Sequence, residues 1–222
     1  MAGPDFTQDE HEARATVGMR VAAVILAGGR GERLGGAVKA LVRVGGLRLV
    51  DRVLALVAAC DPVIVAHGPH DPAALGLPDG AAGVADLPGE YAGPLAGFAA
   101  AVAALPDDIE LLISAAVDSP FLPMDYVERL MRALGDAPAA IARYEGQPYP
   151  TSSIWRVERF RDLPQRVLAG TAPRSLKALA AEAAAVAVDW PVGPTGDPFA
   201  NINTPEDLAL AEARAAATAT GF

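Results

Sequence analysis

The sequence predicts an α/β domain in which a mostly parallel sheet is covered by helices on both faces. Short apolar segments alternate with longer segments of helical periodicity, which is the order typical of parallel sheets. Several of these segments are apolar throughout, as expected for strands that are buried on both sides. The predicted strands are VAAVIL (21–26), PVIVA (62–66), GVA (83–85), IELLISAAV (109–117), AAIA (139–142) and AVAV (185–188).

The predicted helices lie between these strands, and proline or glycine marks their ends. They cover residues 49–59, 94–105, 123–134 and 173–184. Residues 1–19 are polar, mixed in charge and without periodicity, so they are predicted to form a flexible tail. No linker or repeat interrupts the remainder, so residues 20–222 are predicted to form one domain.

Composition and charge exclude several classes of protein. The net charge of −9 argues against a nucleic-acid binder, whose surface would be basic. No apolar run reaches the roughly 18 residues that cross a bilayer, and the polar start lacks the order of a secretion signal. The single cysteine, Cys60, excludes an internal disulfide and is expected to fill space in the core. These features predict a cytoplasmic protein that binds neither nucleic acid nor a membrane.

The segment VAAVILAGGRGERLGG (21–36) runs from a predicted strand into a glycine-rich loop with positive charge. In parallel sheets ligands bind beyond the carboxyl ends of the strands, where such loops gather. Asp118 ends another predicted strand, so it is expected at the same edge. Basic residues are concentrated in positions 30–52, and Arg48 and Arg52, one helical turn apart, are expected on a solvated helix face.

Two familiar phosphate-binding loops fit this segment poorly. Its glycines at 29, 31 and 35 resemble the spacing of dinucleotide-binding folds, but the second predicted strand ends at Ala66 without the carboxylate that would hold a ribose. Lys39 stands between valine and alanine, whereas a P-loop lysine stands between glycine and serine or threonine. An unrelated Rossmann oxidoreductase is therefore disfavoured.

Four ordered motifs carry a resemblance to a known family. LAGGRGERLGGAVKAL (26–41) resembles the signature L-A-G-G-x-x-x-R-M/L-G-x-x-K of nucleotidyltransferases of the molybdenum cofactor guanylyltransferase type. GPLAG (93–97), DSPFLP (118–123) and NINTPEDL (201–208) resemble three further blocks of that family. The resemblance covers about residues 20–215 and implies a three-layer α/β/α, Rossmann-like nucleotidyltransferase fold.

The resemblance implies a Mg²⁺-dependent transfer of GMP from GTP to molybdopterin, with release of pyrophosphate. GTP and molybdopterin would be the small-molecule partners, and molybdoenzymes or their chaperones would be transient protein partners. Because two anions must approach each other, the protein's main task in such a reaction is to neutralise and position charge. No covalent nucleophile is required.

The expected nucleotide site combines the glycine loop with residues from the other motifs. Backbone N–H groups of residues 27–29 can approach a triphosphate because glycine has no side chain to obstruct them. Arg33 and Lys39 supply positive charge and, with Asp118, are the expected catalytic residues. The full nucleotide-binding set is Leu26, Ala27, Gly28, Gly29, Lys39, Asp86, Gly93 and Asp118.

The scarcity of lysine and asparagine supports these assignments. The chain has two lysines against sixteen arginines, and its two asparagines are Asn201 and Asn203. Lys39 suits a phosphate site because its ammonium is a compact, movable charge. The asparagines, two positions apart, point the same way if the segment is extended, and they are expected to bind the acceptor, with Asn203 serving the second substrate or the metal.

Asp118, Asp86 and the segment 204–207 each have an expected role. Asp118 follows a nearly continuous apolar strand and offers the hard oxygen ligand that suits Mg²⁺, although a helix-capping role is the alternative. Asp86 matches a family position that contacts the nucleotide, where a carboxylate accepts hydrogen bonds from the base or the ribose. Thr204 to Asp207 reads as the start of a helix.

Three departures from the family pattern leave alternatives open. Val38 replaces a usual acidic residue, and Ala66 stands where the family often has asparagine. Residues 147–155, which in the family lead into the acceptor region, lack an expected histidine. The alternatives are a cytidylyltransferase for the same cofactor, a relative acting on a phosphorylated sugar or alcohol, and a nucleotide-binding paralogue without turnover, which Val38 favours.

Overall fold

A computed structural model describes residues 18–29, 36, 38–89, 91 and 93–219. The strands are β1 (Val21–Leu26), β2 (Arg43–Val44), β3 (Leu47–Arg48), β4 (Val63–Ala66), β5 (Ala81–Val84), β6 (Leu111–Ala116), β7 (Ala139–Tyr144), β8 (Gln147–Arg156) and β9 (Val186–Trp190). The predicted tail, apart from residues 18 and 19, and the predicted site residue Arg33 lie outside the described residues.

The helices alternate with the strands along most of the chain. They are α1 (Leu49–Leu56), α2 (Pro72–Leu75), α3 (Pro94–Ala104), α4 (Tyr126–Leu134), α5 (Leu163–Leu168), α6 (Leu176–Glu182) and α7 (Pro205–Ala219). Two short 3₁₀ turns cover Lys39–Leu41 and Val157–Arg159. Among the helices in the described part of the chain, none is both long and apolar enough to cross a membrane.

Within the described residues, seven strands form the main sheet in the order β5-β4-β1-β6-β8-β7-β9. The first four run parallel to one another. β8 is antiparallel to both of its neighbours, and β9 is parallel to β7. The prediction of a mostly parallel sheet is confirmed.

Two apolar layers cover the sheet, because alternate side chains of a strand point to opposite faces. On β1, Ala23 and Ile25 belong to one layer, which includes buried residues of α1, α4 and α7. Ala22 and Val24 belong to the other layer, which includes buried residues of α3, α5 and α6. The predicted three-layer α/β/α arrangement is therefore also confirmed.

The chief difference from the prediction is β8, where the sequence QPYPTSSIWR forms a ten-residue strand that was not predicted. Its prolines and hydroxyl residues hide the apolar pattern, and prolines are tolerated in strands at irregular positions. Such an irregularity is present, because consecutive residues Ile141 and Ala142 of β7 pair with Ser153 and Tyr149 of β8. The strand therefore bulges at residues 150–152.

The predicted solvated surface for Arg48 and Arg52 is wrong. Arg48 forms two bonds to the Asp51 carboxylate, of 2.7 and 2.6 Å, and donates to the Leu75 carbonyl at 2.7 Å. Arg52 donates to the Val44 carbonyl at 2.5 Å. The two guanidinium groups thus tie the first turns of α1 to β2 and to the end of α2.

Candidate active site

A pocket opens at the carboxyl ends of β1, β4 and β6, where the topology of the sheet places ligand sites. The predicted site residues that line it are Leu26, Gly28, Gly29, Lys39, Asp86, Gly93, Asp118 and Asn201. The sequence did not assign roles to its other lining residues, which are Ala66, Pro94, Gly97, Ala116, Val117 and Thr151. Residues from widely separated motifs therefore meet in one place.

The glycine loop is packed against the loop that follows β4. A Cβ placed on Gly28 would lie 3.0 Å from the Cα of Gly68, and a Cβ on Gly68 would lie 2.7 Å from the Cα of Gly28. Gly68 also has a φ of +59°, which disfavours other residues. The two backbones touch because neither residue carries a side chain.

Ala27 occupies a different place from the other predicted loop residues. It is fully buried, and its N–H donates to the Ala66 carbonyl at 2.8 Å. That N–H is therefore engaged in extending the pairing of β1 and β4. Gly28 and Gly29, by contrast, line the pocket.

One wall of the pocket, here called the Asp86 side, consists of Asp86, Gly28 and Gly97. A Cβ on Gly97 would lie 2.9 Å from Asp86 Oδ1, and one on Gly28 would lie 3.5 Å from Asp86 Oδ2. The two glycines therefore leave room for the carboxylate between them. Among the described residues, no hydrogen bond reaches this carboxylate.

Burial raises the pKa of the Asp86 carboxyl above its usual value, and nearby His67 opposes this rise. His67 is itself 7% exposed, and its Nδ1 has no hydrogen-bond partner in the described part of the chain. A partly desolvated carboxylate without donors is poorly stabilised in the free protein. It is therefore ready to accept hydrogen bonds from a ligand.

Beside Gly29 of the glycine loop lies a polar cluster, here called the Lys39 network, which consists of Lys39, Asp118 and Asn203. Lys39 Nζ donates to Asp118 Oδ2 at 2.8 Å and to Asn203 Oδ1 at 2.6 Å. The Lys39 and Asp118 side chains are 12% and 17% exposed, so solvent screens their ion pair only in part. The short 3₁₀ turn at Lys39–Leu41 places this lysine at the pocket.

The start of α7 fixes Asn203. The Asp207 carboxylate accepts from the backbone N–H groups of Asn203 and Thr204, at 2.8 and 2.9 Å, and the Asp207 N–H donates to the Thr204 hydroxyl at 3.2 Å. This is a capping box, and it confirms the predicted helix start. The backbone N–H donors lower the pKa of Asp207.

A second asparagine is held by the residue that follows Asp118. The Ser119 hydroxyl donates to Asn201 Oδ1 at 2.7 Å and lies 3.3 Å from the Phe199 carbonyl. The N–H of Ile202 donates to the Asp118 carbonyl at 2.9 Å. These bonds join the segment before α7 to the end of β6.

The pocket offers a site that fits a divalent cation of the Mg²⁺ type. Asp118 Oδ2 binds Lys39, and its Oδ1 has no hydrogen bond among the described residues. No three His, Cys, Asp or Glu side chains within those residues are grouped to hold a metal ion by themselves. Mg²⁺ usually uses only one or two carboxylates, together with water and substrate phosphates, so Asp118 is a suitable ligand.

The motifs and this geometry agree with the comparison to known proteins. A model of the MobA-like NTP transferase domain matches residues 23–188. The chain belongs to the MobA-like NTP transferase family. The family assignment confirms the resemblance found in the sequence and the prediction of a nucleotidyltransferase.

Relatives in this family match over most of their length. A protein of Rhodobacter capsulatus named molybdenum cofactor guanylyltransferase is 43% identical over 199 residues, which are 88% of this chain and 97% of that protein. A protein of the same name from Rhodopseudomonas palustris (strain BisB5) is 40% identical over 195 residues, 86% of this chain and 91% of that one.

Solved structures show the same fold. The molybdopterin-guanine dinucleotide biosynthesis protein A of Archaeoglobus fulgidus is 25% identical with a TM-score of 0.64, covering 89% of this chain and 99% of that chain. The structure of a Mycobacterium tuberculosis protein in complex with manganese is 17% identical with a TM-score of 0.65, covering 88% of this chain and 98% of that chain. This likeness concerns the fold alone.

The site residues that were not assigned from the sequence differ in how far the sequence could have identified them. Gly97 lies in the GPLAG motif, so its place beside Asp86 follows from the same segment as Gly93. Ser119 directly follows Asp118, but its partner Asn201 is 82 residues away. Thr151 lies in the strand that was not predicted, within the segment 147–155 that the family resemblance relates to the acceptor region.

Proposed function

We propose that the protein transfers GMP from GTP to the terminal phosphate of molybdopterin and releases pyrophosphate. The observation that carries this proposal is the Lys39 network, in which the ammonium joins Asp118 and Asn203 beside the glycine loop. The names of the Rhodobacter and Rhodopseudomonas relatives support the choice of substrates.

The reaction needs no side chain that acts as a base. An oxygen of the acceptor's phosphate monoester attacks the α-phosphorus of GTP, and a new P–O bond forms. The bond between the α-phosphorus and its bridging oxygen breaks, and pyrophosphate leaves with the electron pair. A phosphate monoester has a second pKa of about 6, so near neutral pH its attacking oxygen is already deprotonated.

Lys39 supplies the movable charge that this reaction needs. Its ammonium has three N–H donors, and two of them are engaged by Asp118 and Asn203. The third donor is available to the triphosphate, and the compact ammonium can change partners as charge moves to the leaving group. Backbone N–H groups of Gly28 and Gly29 and, by the sequence prediction, Arg33 complete the anion site.

Asp118 would hold the Mg²⁺ ion through its carboxylate. When bound, such an ion offsets negative charge on the phosphates. The protein's own contribution is to keep Asp118 fixed, which the bond from Ile202 N–H to the Asp118 carbonyl does at 2.9 Å. The choice of Mg²⁺ among divalent cations is part of the proposal.

Asp86 is the residue that we assign to guanine. The Watson–Crick edge of guanine presents two adjacent donors, N1–H and the N2 amino group, and a carboxylate accepts two such bonds side by side. Cytosine, adenine and uracil lack this pair of adjacent donors. The Asp86 carboxylate has no donor from the described residues, so guanine would provide the hydrogen bonds that it lacks in the free protein.

Asn201, which lines the pocket, and Asn203, which binds Lys39, are assigned to the acceptor. The proposal also includes a cytoplasmic location and transient contact with molybdoenzymes or their chaperones. They describe where the product would be made and delivered.

The proposal is tested by measuring pyrophosphate release with GTP, CTP, ATP or UTP, in Mg²⁺, with molybdopterin or a sugar phosphate as the acceptor. We expect release only with GTP and molybdopterin. Release with CTP would indicate a cytidylyltransferase, and release with a sugar phosphate would indicate a different acceptor. Binding of GTP without release under any condition would indicate a protein that binds nucleotides without turnover.

A further inference from the structure

The pocket has a second wall, which takes no part in the proposed binding of the nucleotide. In the sheet, β4 and β1 lie on one side of β6, and β8 lies on the other. Asp86 and the glycine loop belong to the first side, and Thr151 of β8 to the second. With Asp118 at the end of β6 between them, a ligand that meets the nucleotide at Asp118 must approach along the β8 side.

On this second wall the side-chain amide of Asn201 is oriented by Ser119. Its Oδ1 accepts from the Ser119 hydroxyl at 2.7 Å, and Ser119 is 2% exposed. Among the described residues, no acceptor binds the Asn201 Nδ2 group. Asn201 therefore offers two N–H donors to the pocket that it lines.

The side-chain amide of Asn203 is oriented by Lys39 instead. Its Oδ1 is occupied by the Lys39 ammonium at 2.6 Å, so its amide nitrogen is also the group left without a partner in the described chain. Both asparagines therefore present donors beside Asp118. An oxygen-rich anion is the ligand that such a surface suits.

Thr151 adds a hydroxyl to this wall through the bulge in β8. The Thr151 carbonyl accepts from the Ser114 hydroxyl at 2.8 Å, and the neighbouring Pro150 carbonyl accepts from the Ser153 hydroxyl at 2.8 Å. These two serines fix the bulge from inside the sheet. Bulges beside active sites commonly re-aim a side chain, and the Thr151 hydroxyl has no partner within the described residues.

We propose that the Thr151 hydroxyl and the Asn201 amide nitrogen bind the phosphate monoester of the acceptor, and that Ser119 is the positioning residue that orients Asn201. This inference rests on the proposed function and deepens it. A phosphate dianion has only acceptor oxygens, so it matches an amide N–H and a rotatable hydroxyl. Ser119 acts by keeping the Asn201 oxygen away from that anion.

Thr151→Val tests the hydroxyl, because valine keeps the branched shape and β propensity of threonine. In steady-state pyrophosphate release with saturating GTP, we expect the KM for molybdopterin to rise about tenfold or more, as for loss of a hydrogen bond to a charged group. The KM for GTP stays unchanged. Thr151→Ser, which restores a hydroxyl, is the matched control and retains most of the affinity.

Ser119→Ala tests the positioning role, because alanine fits the buried site but leaves the Asn201 amide free to turn. We expect a rise in the KM for molybdopterin and an unchanged KM for GTP, with only a small fall in the melting temperature from loss of the buried hydroxyl. Ser119→Thr keeps the donor and restores the KM. A residue that only supports the fold would change the melting temperature and both KM values together.

The outcomes separate this inference from the function on which it rests. If the wild type turns over and both Thr151→Val and Ser119→Ala have the wild-type KM for molybdopterin, the inference is wrong and the proposed function stands. If another phosphorylated acceptor is turned over and molybdopterin is not, the proposed function is wrong, and the same comparison with that acceptor decides the subsite. Absence of turnover with every acceptor would overturn both.

Discussion

The Asp86 side and the Lys39 network differ in how their polar groups are satisfied before a ligand binds. The Asp86 carboxylate lies between two glycines without a hydrogen bond from the described residues. In the Lys39 network, the ammonium already binds a carboxylate and an amide oxygen. The Asp86 carboxylate lacks hydrogen bonds that a ligand can supply, whereas the Lys39 ammonium already has two partners and keeps one donor for a ligand.

This difference assigns distinct tasks to the two sides. A carboxylate without hydrogen-bond partners gains most from a ligand with matching donors, which suits selection of the base. A network whose cation is held by two neighbours keeps its geometry without substrate, which suits a group that must act during bond transfer. Substitutions in the Lys39 network should therefore reduce the rate, and those on the Asp86 side should reduce affinity and selectivity.

The largest expected effect is that of Lys39→Ala. It removes the charge that stabilises the reacting phosphates, so we expect turnover to fall by about 100-fold or more, the cost typical of losing one donor to a transition-state charge. Single-turnover pyrophosphate release and a thermal melt measure rate and stability in parallel. Lys177→Ala is the matched control, because Lys177 is the other lysine and is exposed on α6. Near-normal turnover by a folded Lys39→Ala protein would remove Lys39 from the mechanism.

Asp118→Asn should abolish the response to Mg²⁺ while it preserves the shape of the side chain. We expect turnover to fall on the order of 100-fold, because the amide is a poor ligand for a hard cation and a poor partner for Lys39. Titration of Mg²⁺ against turnover, with the exposed Asp136→Asn as control, measures the effect. An unchanged Mg²⁺ dependence would assign Asp118 to capping.

Asp86→Asn should weaken GTP binding by roughly ten- to a hundredfold and reduce the preference for GTP over ATP. The carboxylate binds guanine only when ionised, and burial raises its pKa in the free protein. Affinity is therefore full above this raised pKa and falls as the pH drops through it, at a less acidic pH than for an ordinary aspartate.

The pH dependence is measured as the ratio of wild-type to Asp86→Asn affinity for GTP, because titration of the phosphates affects both proteins and cancels. A ratio that stays constant with pH would contradict the role of Asp86 in binding guanine. An unchanged nucleotide preference in Asp86→Asn would contradict it as well.

The smallest expected effect is that of Val38→Asp. Val38 is partly buried against the core and lies next to Lys39, at the start of its 3₁₀ turn. A carboxylate there would help to hold the ammonium but would add negative charge near the triphosphate, so we expect a change in rate of about fivefold or less, the size of a weak ion pair. Val38→Ala controls for lost packing. An inactive wild type that Val38→Asp makes active would show that the carboxylate is required.

The sequence predicted the parts of the fold that depend on local pattern. β1 is apolar over six residues and β6 over all but Ser114, which is the pattern expected of strands buried on both faces. β8 was not predicted, because its prolines and hydroxyl residues are explained only by the bulge and by contacts with Ser114. The first turn of α7 was predicted, because its capping residues are neighbours in sequence.

The predicted site residues remain predictions as to their roles, but most of those that the structure describes lie together. Eight of them line the pocket, because the chain brings their motifs to the same edge of the sheet. The bonds from Lys39 to Asn203 and from Ser119 to Asn201 join residues 164 and 82 positions apart, and no local pattern carries that information. The bond from Arg52 to the Val44 carbonyl could not be predicted either, because every residue has a backbone carbonyl and the sequence does not mark which one is used.

The contact between Gly28 and Gly68 limits how this pocket can evolve. Elsewhere in a protein interior, a larger residue at one position can be accommodated by a smaller one at its neighbour. Here both residues already have the smallest side chain, and a Cβ on either would meet the other's Cα at 3.0 or 2.7 Å. No second substitution at the partner position can relieve the first. The two positions therefore form one inherited unit, and descendants that keep this loop geometry must keep both glycines.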